Sequence, residues 1–160
     1  MFQAVSLAVI AVLTVIDRLT KYAAVHTVKV NGPKEFLFGL FRFRYVENTG
    51  AAFSAFSDST TVLTVVTVIV LAVCLFILLG RKVKPMFVNV CLLLVVAGGI
   101  GNVIDRVLYG YVVDFIEPLF IDFAVFNFAD CCITVGAFML IAYEIYELFK
   151  ERKKKSENND

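Results

Sequence analysis

Histidine and charge are both scarce in this sequence. His26 is its one histidine, and 18% of its 160 residues are charged. The four cysteines lack the spacing of zinc ligands, and all of them fall within apolar segments. We therefore expect no metal, no cofactor and no disulfide framework, and we interpret Cys74, Cys91, Cys131 and Cys132 as small core residues.

Net charge is also nearly absent. The formal value is +1, which gives no field for a nucleic acid, so we expect no nucleic-acid partner. One dense basic run, residues 150–155, follows an apolar segment and is typical of a juxtamembrane anchor. The glycine-rich stretch GGIGN (98–102) lies within an apolar run, so we interpret it as a site of close helix packing and not as a phosphate-binding loop.

Apolar residues, by contrast, make up 60% of the chain, and the mean hydropathy of +0.85 is typical of a membrane protein. Residues 60–79 and 86–104 carry no charge and approach the roughly 20 residues that a membrane-crossing helix requires. Residues 4–16 and 131–143 become full spans only by including charged neighbours. The first apolar run lacks the flanks of a cleaved signal peptide, so we expect it to stay as a helix.

The predicted fold class is an all-α membrane protein with four transmembrane helices and a small extracytoplasmic sheet. We expect one domain over residues 1–160, with a basic tail at 150–160. The predicted spans lie at about 4–25, 60–79, 86–106 and 127–149.

Basic residues decide the predicted orientation. Arg81, Lys82 and Lys84 lie in the short link between the second and third spans, and a basic run follows the fourth. Because cytoplasmic loops are enriched in Lys and Arg, we expect both termini in the cytoplasm. On the other side, FRFRYV (41–46) alternates apolar and charged residues, which predicts an amphipathic sheet at the membrane surface.

Polar residues of three spans are predicted to share one depth. Asp17 and Asp130 each lie 13 residues from the cytoplasmic end of an apolar run, or about 20 Å at 1.5 Å per residue. Asn102 reaches a similar level. The residues that share a helix face with these three, at spacings of three or four, are Lys21, Arg106 and Asn127. Either these groups surround a polar pocket, or they are ion pairs that only hold the helices together.

Asp114 and Asp130 have no evident basic partner in their local sequence. Two carboxylates that share a site cannot both ionise easily, so one keeps a proton while the other acts as a base. Aspartic proteases use this arrangement to activate water against an amide. Serine, cysteine and zinc protease chemistries fit less well, because the sequence lacks a nucleophile elbow, a polar cysteine site and a zincin motif.

These motifs together resemble the lipoprotein signal peptidase family, signal peptidase II, which are aspartic endopeptidases of the bacterial inner membrane. The matching stretches cover nearly the whole chain in the family's order. They are DRLTK (17–21), ENTGAAFS (47–54), GGIGNVIDRVLYGYVVDF (98–115) and FNFADCCITVG (126–136).

By motif match, the resemblance implies that Asp114 and Asp130 are the catalytic dyad. The residues that would line the site are Asn48, Asn102, Arg106 and Asn127, with support from Asp17 and Lys21. The family cleaves prolipoproteins before a cysteine that carries diacylglycerol, which holds the scissile bond near the bilayer surface. We therefore expect a lipidated prolipoprotein and membrane lipid as partners, and a monomer in the inner membrane whose active site lies near the extracytoplasmic face.

Two departures from the family pattern are visible. Arg18 stands where glutamine is common, which could shift the pairing of Asp17, and Cys131 with Cys132 replaces small hydroxyl residues.

Two other function classes stay open. A proton-coupled carrier would use the aspartates as a relay, although no inverted repeat is detectable. A non-catalytic assembly factor for lipidated partners would need neither member of the dyad.

Overall fold

Four helical stretches and a three-stranded sheet make up the described part of the protein. The computed structural model describes residues 2–50, 60–80 and 85–157. Its helices are α1 (Phe2–Ala23), α2 (Lys29–Asn31), α3 (Thr60–Leu79), α4 (Met86–Tyr109) and α5 (Phe128–Glu157), and a π-helical segment (Ala24–Val28) joins α1 to α2. Its strands are β1 (Lys34–Phe36), β2 (Phe41–Asn48) and β3 (Val112–Pro118). Four stretches, namely α1 with its extension, α3, α4 and α5, are long and apolar enough to cross a membrane, which confirms the predicted fold class.

Helix α4 is the central helix of the bundle. It packs against α1, α3 and α5, and more than half of its apolar window is buried. Helix α3, in contrast, buries one residue, Leu78, and is apolar all round, as expected of a helix whose surface faces lipid. The shared core consists of Ile10, Leu78, Val88, Leu92, Val96 and Ala97.

Two glycines of α4 allow its neighbours to approach closely. A β-carbon at Gly98 would clash with the backbone oxygen of Ala129 in α5, and one at Gly101 would clash with the carboxyl group of Asp17 in α1. Small residues at such positions let membrane helices pack backbone to backbone. The interpretation of GGIGN as a packing motif is confirmed, and this packing brings α1, α4 and α5 together at the level of Asp17.

The strands form one antiparallel sheet in the order β1-β2-β3. The rings of Phe36 and Phe43 stack on one face, with their centroids 4.1 Å apart. On the other face, Arg42 and Arg44 both donate hydrogen bonds to Glu117, at 2.7 and 2.9 Å. The sheet is therefore amphipathic, as the alternation in FRFRYV predicted.

Two helical stretches continue past the C-terminal ends of the predicted spans. The first stretch continues to Asn31, and α5 runs through the basic segment to Glu157, because neither region contains a helix-breaking residue. Arg81, Lys82 and Lys84, on which the predicted orientation depends, lie outside the described residues. Residues 51–54 of ENTGAAFS and residues 158–160 of the predicted tail also lie outside them.

Candidate active site

The carboxyl group of Asp114, on β3, is buried between two side-chain amides. Nδ2 of Asn48 donates to Oδ2 of Asp114 at 2.8 Å, and Nδ2 of Asn127 donates to Oδ1 at 2.6 Å. One amide comes from the end of β2 and the other from the residue before α5. With a donor on each oxygen, the plane of this carboxyl group is fixed.

A β-bulge in β2 brings Asn48 beside Asp114. Phe43 pairs with Ile116 and Val46 pairs with Asp114, so two residues of β2 stand opposite one residue of β3. Because side chains alternate along a strand, the extra residue moves Val46 and Asn48 onto the face that carries Phe43. Without the bulge, Asn48 would point away from Asp114.

Asp130 lies in the first turn of α5, where a capping box begins the helix. Oδ1 of Asn127 accepts a hydrogen bond from the backbone N–H of Asp130 at 3.0 Å, and the backbone N–H of Asn127 donates to Oδ2 of Asp130 at 3.1 Å. Nδ2 of Asn102 donates to Oδ1 of Asp130 at 2.7 Å. These donors, with the positive end of the helix dipole, stabilise a negative charge on Asp130.

Asn127 connects the two aspartates. Its side-chain oxygen caps α5 at Asp130, while its amide nitrogen donates to Asp114 and, at 3.2 Å, to Oδ1 of Asn102. The residue is 0% exposed. One side chain therefore holds the two carboxyl groups in a fixed relation, although they come from a strand and a helix.

Both carboxyl groups line one cavity of about 490 Å³. Its wall also includes Asn48, Arg106 and an apolar stretch at residues 123–126. Nε of Arg106 is buried, and it has no hydrogen-bond partner among the described residues. A buried cationic donor without a partner is costly, so this group is available to a ligand in the cavity.

A network of buried charges orients Asn102 toward Asp130. Nζ of Lys21 lies 2.9 Å from Oδ2 of Asp17 and from Oδ2 of Asp105, and it donates to Oδ1 of Asn102 at 2.9 Å. Since Oδ1 of Asn102 accepts this bond, its Nδ2 faces Asp130. Asp17 extends the network to α5 by accepting the backbone N–H of Ala129 at 3.1 Å.

Asp105 is a supporting residue that the sequence analysis did not assign to the site. It is 0% exposed, pairs with both Arg18 and Lys21, and accepts the backbone N–H of Val113 at 3.2 Å. It therefore joins α1 and α4 to the start of β3. Arg18 pairs with Asp105 and not with Asp17, whose pairing it was expected to change.

Burial raises the pKa of Asp114 to about 7, and the negative charge of Asp130 acts in the same direction. The amides of Asn48 and Asn127 lower the pKa of Asp114 and offset part of this effect. Near neutral pH, Asp114 can therefore hold a proton while a second carboxylate beside it is ionised.

The structure brings all eight predicted site residues into one region. Four of them line the cavity, namely Asn48, Arg106, Asp114 and Asp130. Two donate hydrogen bonds to the carboxyl groups, namely Asn102 and Asn127. The remaining two, Asp17 and Lys21, form an ion pair beneath them. Their chemical roles stay predictions. Cys131, expected in the core, is half-buried and lines the cavity, whereas Cys91 and Cys132 are buried.

Comparison with known proteins identifies the relatives of this chain. The family model described as Signal peptidase (SPase) II matches residues 9–146. A lipoprotein signal peptidase from Streptococcus thermophilus is 38% identical over 138 residues, covering 86% of this chain and 90% of that protein. A lipoprotein signal peptidase from Clostridium tetani is 35% identical over 143 residues, covering 88% and 92%.

Two solved structures are also similar, and each is described as a bacterial membrane enzyme. The first, at 2.3 Å resolution, superposes with a TM-score of 0.83 at 31% identity and covers 91% of this chain and 90% of that one. The second, at 1.9 Å resolution, has a TM-score of 0.78 at 32% identity and covers 88% and 92%. The similarity of fold therefore extends over most of each chain.

Proposed function

The chain belongs to the signal peptidase II family of peptidases, and from this premise we propose that it is an aspartic endopeptidase that removes the signal peptide from diacylglyceryl-modified prolipoproteins, before the lipidated cysteine. Membership makes it a peptidase and a multi-pass bacterial membrane protein, so a non-catalytic assembly factor is excluded and the carrier hypothesis has no support. The observation that carries the proposal is that Asp114 and Asp130 line one cavity and are joined through Asn127.

The two aspartates differ in their surroundings, which supports different roles. Asp114 is buried and its pKa is raised to about 7, so it is the member that holds the proton. Asp130 accepts a backbone N–H and an amide at the positive end of α5, so it is the ionised member. In this proposal Asp130 is the general base and Asp114 the general acid.

The reaction then follows the pattern of an aspartic dyad. Asp130 takes a proton from a water molecule as its oxygen attacks the scissile carbonyl carbon, and Asp114 gives its proton to the carbonyl oxygen. The tetrahedral intermediate collapses when Asp130 passes the proton to the leaving nitrogen and Asp114 recovers a proton from the intermediate. Both carboxyl groups end in their starting states, with the C–N bond cleaved.

The surrounding residues would bind and position. The buried Nε of Arg106 supports a role as a donor to a substrate carbonyl, because this atom has no hydrogen-bond partner among the described residues. Asn48, Asn102 and Asn127 orient the carboxyl groups through the hydrogen bonds described above. The charges of Asp17 and Lys21 would act indirectly, by holding Asn102 in place.

The substrate and the membrane side are part of the same proposal. A lipidated cysteine keeps its scissile bond near the bilayer surface, and the apolar cavity wall at residues 123–126 suits the lipid-bearing residue. With basic residues 81, 82 and 84 and the basic run at 150–155 in the cytoplasm, both termini would be cytoplasmic and the cavity extracytoplasmic. The enzyme is proposed to act as a monomer in lipid, without a cofactor and without nucleic acid.

Cleavage of a synthetic diacylglyceryl-cysteine peptide by purified enzyme tests the dyad. We expect Asp114→Asn and Asp130→Asn each to lower kcat by about 10²- to 10⁴-fold, the usual contribution of a positioned acid or base. Asp122→Asn is the matched control, because Asp122 is an exposed carboxylate that does not line the cavity.

Both dyad variants should still bind the peptide, since the carboxyl groups act on the amide and not on the lipid. Cleavage at a near-normal rate by either variant would refute the assignment of that aspartate. Loss of activity in the Asp122→Asn control would show instead that any lost carboxylate disturbs the fold.

A further inference from the structure

The hairpin turn between β1 and β2 is apolar and projects from the protein. It reads Leu37, Phe38, Gly39, Leu40, whereas hairpin turns normally consist of polar residues and glycine. Phe38 is 104% exposed, and Leu37 and Leu40 are about half exposed. In the described part of the chain, nothing covers the ring of Phe38.

A second apolar turn lies against the first. The backbone N–H of Leu119, just after β3, donates to the backbone oxygen of Leu40 at 2.9 Å. Leu119 and its two neighbours, Phe120 and Ile121, all have exposed side chains. We call this surface the apolar edge; it consists of Leu37, Phe38, Leu40, Leu119, Phe120 and Ile121.

The backbone of the first turn is strained at Leu37 and at the exposed Phe38. Leu37 and Phe38 have φ of +49° and +58°, in the left-handed region that residues with a β-carbon seldom occupy. Glycine or asparagine would adopt this conformation at lower cost. Two bulky apolar residues in strained positions, one of them fully exposed, point to a function for the side chains.

The apolar edge continues into the aromatic face of the sheet. Phe41 packs on Phe120 with ring centroids 5.5 Å apart, and Phe36 lies over Phe41 and Phe43. By strand alternation, this face also carries Asp114, which lies four residues before Pro118, the partner of Phe41. The opposite face carries the charged cluster around Glu117.

We propose that the apolar edge inserts among the acyl chains of the adjacent membrane leaflet, with the charged face of the sheet toward water. Lipid is the occupant because the sheet is continuous with the membrane-spanning bundle: α4 leads through Gly110 and Tyr111 directly into β3. The last turn of α4 exposes Val107 and Leu108 in the same way. The buried edge fixes the height of β3, holding Asp114 about 13 Å from it along the strand.

The absence of tryptophan from the chain provides a direct test. Phe38→Trp introduces a single fluorophore at the apolar edge of the full-length protein, which is reconstituted in vesicles whose phospholipids carry bromine on the acyl chains. Ile69→Trp, on the exposed surface of α3, is the lipid reference. Arg44→Trp, on the charged face of β2, is the water reference, since Arg42 still pairs with Glu117.

We expect brominated lipid to quench the Phe38→Trp variant to the same extent as the Ile69→Trp variant, and iodide in the buffer to quench only Arg44→Trp. Iodide quenching of Phe38→Trp as strong as that of Arg44→Trp would overturn the proposal. Protection from both quenchers, lost on dilution of protein in lipid, would also overturn it and indicate contact with a second copy. Phe120→Trp, on the adjoining turn, repeats the measurement if Phe38→Trp does not fold.

Discussion

At the residue scale, Asn127 performs two tasks that different substitutions can separate. Its side-chain oxygen caps α5, and its amide donates to Asp114. A hydrogen bond to a protonated carboxyl group contributes roughly 0.5–1.5 kcal/mol and an N-cap about 1 kcal/mol. The two contributions affect different measurements, since the first acts on turnover and the second on unfolding.

We predict that Asn127→Ala loses both contributions, with a kcat reduced about 3- to 10-fold and a stability lower by about 1 kcal/mol. Asn127→Ser should keep the cap, because serine is a good N-cap residue, but its hydroxyl is too short to reach Asp114. Peptide cleavage and thermal unfolding in detergent measure the two effects. Equal activity of Asn127→Ser and wild type would remove the bond to Asp114 from the mechanism.

The pKa of Asp114 predicts the pH dependence of cleavage. If Asp114 is the general acid, kcat/KM should fall as the pH rises through about 7, where its carboxyl group loses the proton. Asn48→Ala removes a donor that stabilises the ionised form, so the pKa should rise further and the alkaline limb should move to higher pH. Asn31→Ala, exposed and outside the cavity, should leave the profile unchanged. An alkaline limb that stayed or moved to lower pH in Asn48→Ala would contradict this assignment.

At the scale of elements, α1 and α4 are joined by buried charges. Lys21 compensates Asp17 and Asp105 together, and a buried ion pair that loses one partner leaves an uncompensated charge. The second cation, Arg18, is partly exposed, and it contacts Asp105 but not Lys21's other partner. The two cations therefore differ in how much the packing of α1 on α4 depends on them.

We predict that Lys21→Met destabilises the protein by about 3–5 kcal/mol, because two aspartates then lack their shared cation. Arg18→Gln should cost much less, since Lys21 still pairs with Asp105. Thermal unfolding of both variants in the same detergent makes the comparison. A larger loss of stability in Arg18→Gln than in Lys21→Met would show that the packing of α1 on α4 depends more on Arg18 than on Lys21.

Helix periodicity explains which elements of the site could be predicted from the sequence. The rise per residue of a helix predicted that Asp17, Asn102 and Asp130 lie at one depth in the membrane. In the structure, hydrogen bonds do connect α1, α4 and α5 at these residues. Asp105 was missed because its partner Arg18 lies 87 residues away on another helix. Its spacing of three residues from Asn102 was the available signal. The bulge in β2 could not be predicted, since register depends on pairing with β3.

At the scale of the whole molecule, the described residues contain four helical stretches that could span a membrane, and the proposed orientation puts both ends of the chain on one side of it. Whether that side is the cytoplasm is predicted from the basic residues in the link between the second and third spans and after the fourth, because cytoplasmic loops are enriched in Lys and Arg. The sequence predicted the number of spans because apolar length is a local property. The contacts that position the cavity are not local, and they required the structure.

We predict that short epitope tags at the two termini are both protected from added protease in intact spheroplasts and both digested in inverted membrane vesicles, because both ends are cytoplasmic in the proposed orientation. Cleavage of a tag in intact spheroplasts would reverse the orientation. Digestion of one tag in each preparation would contradict an even number of spans.

The bulge in β2 has a consequence for insertions and deletions along that strand. Removing one residue between Phe43 and Val46 would restore regular pairing and keep Asn48 on the face of Asp114, because Asn48 would then stand four residues after Phe43. Regular pairing at the present length would instead turn Asn48 to the charged side of the sheet, so that Asp114 would lose one of its two amide donors. A deletion so small would leave the bundle and the cavity walls from other elements in place. Natural and engineered variants of this enzyme should therefore tolerate the loss of one residue at positions 44 and 45, but not a change that makes this stretch pair regularly at its present length.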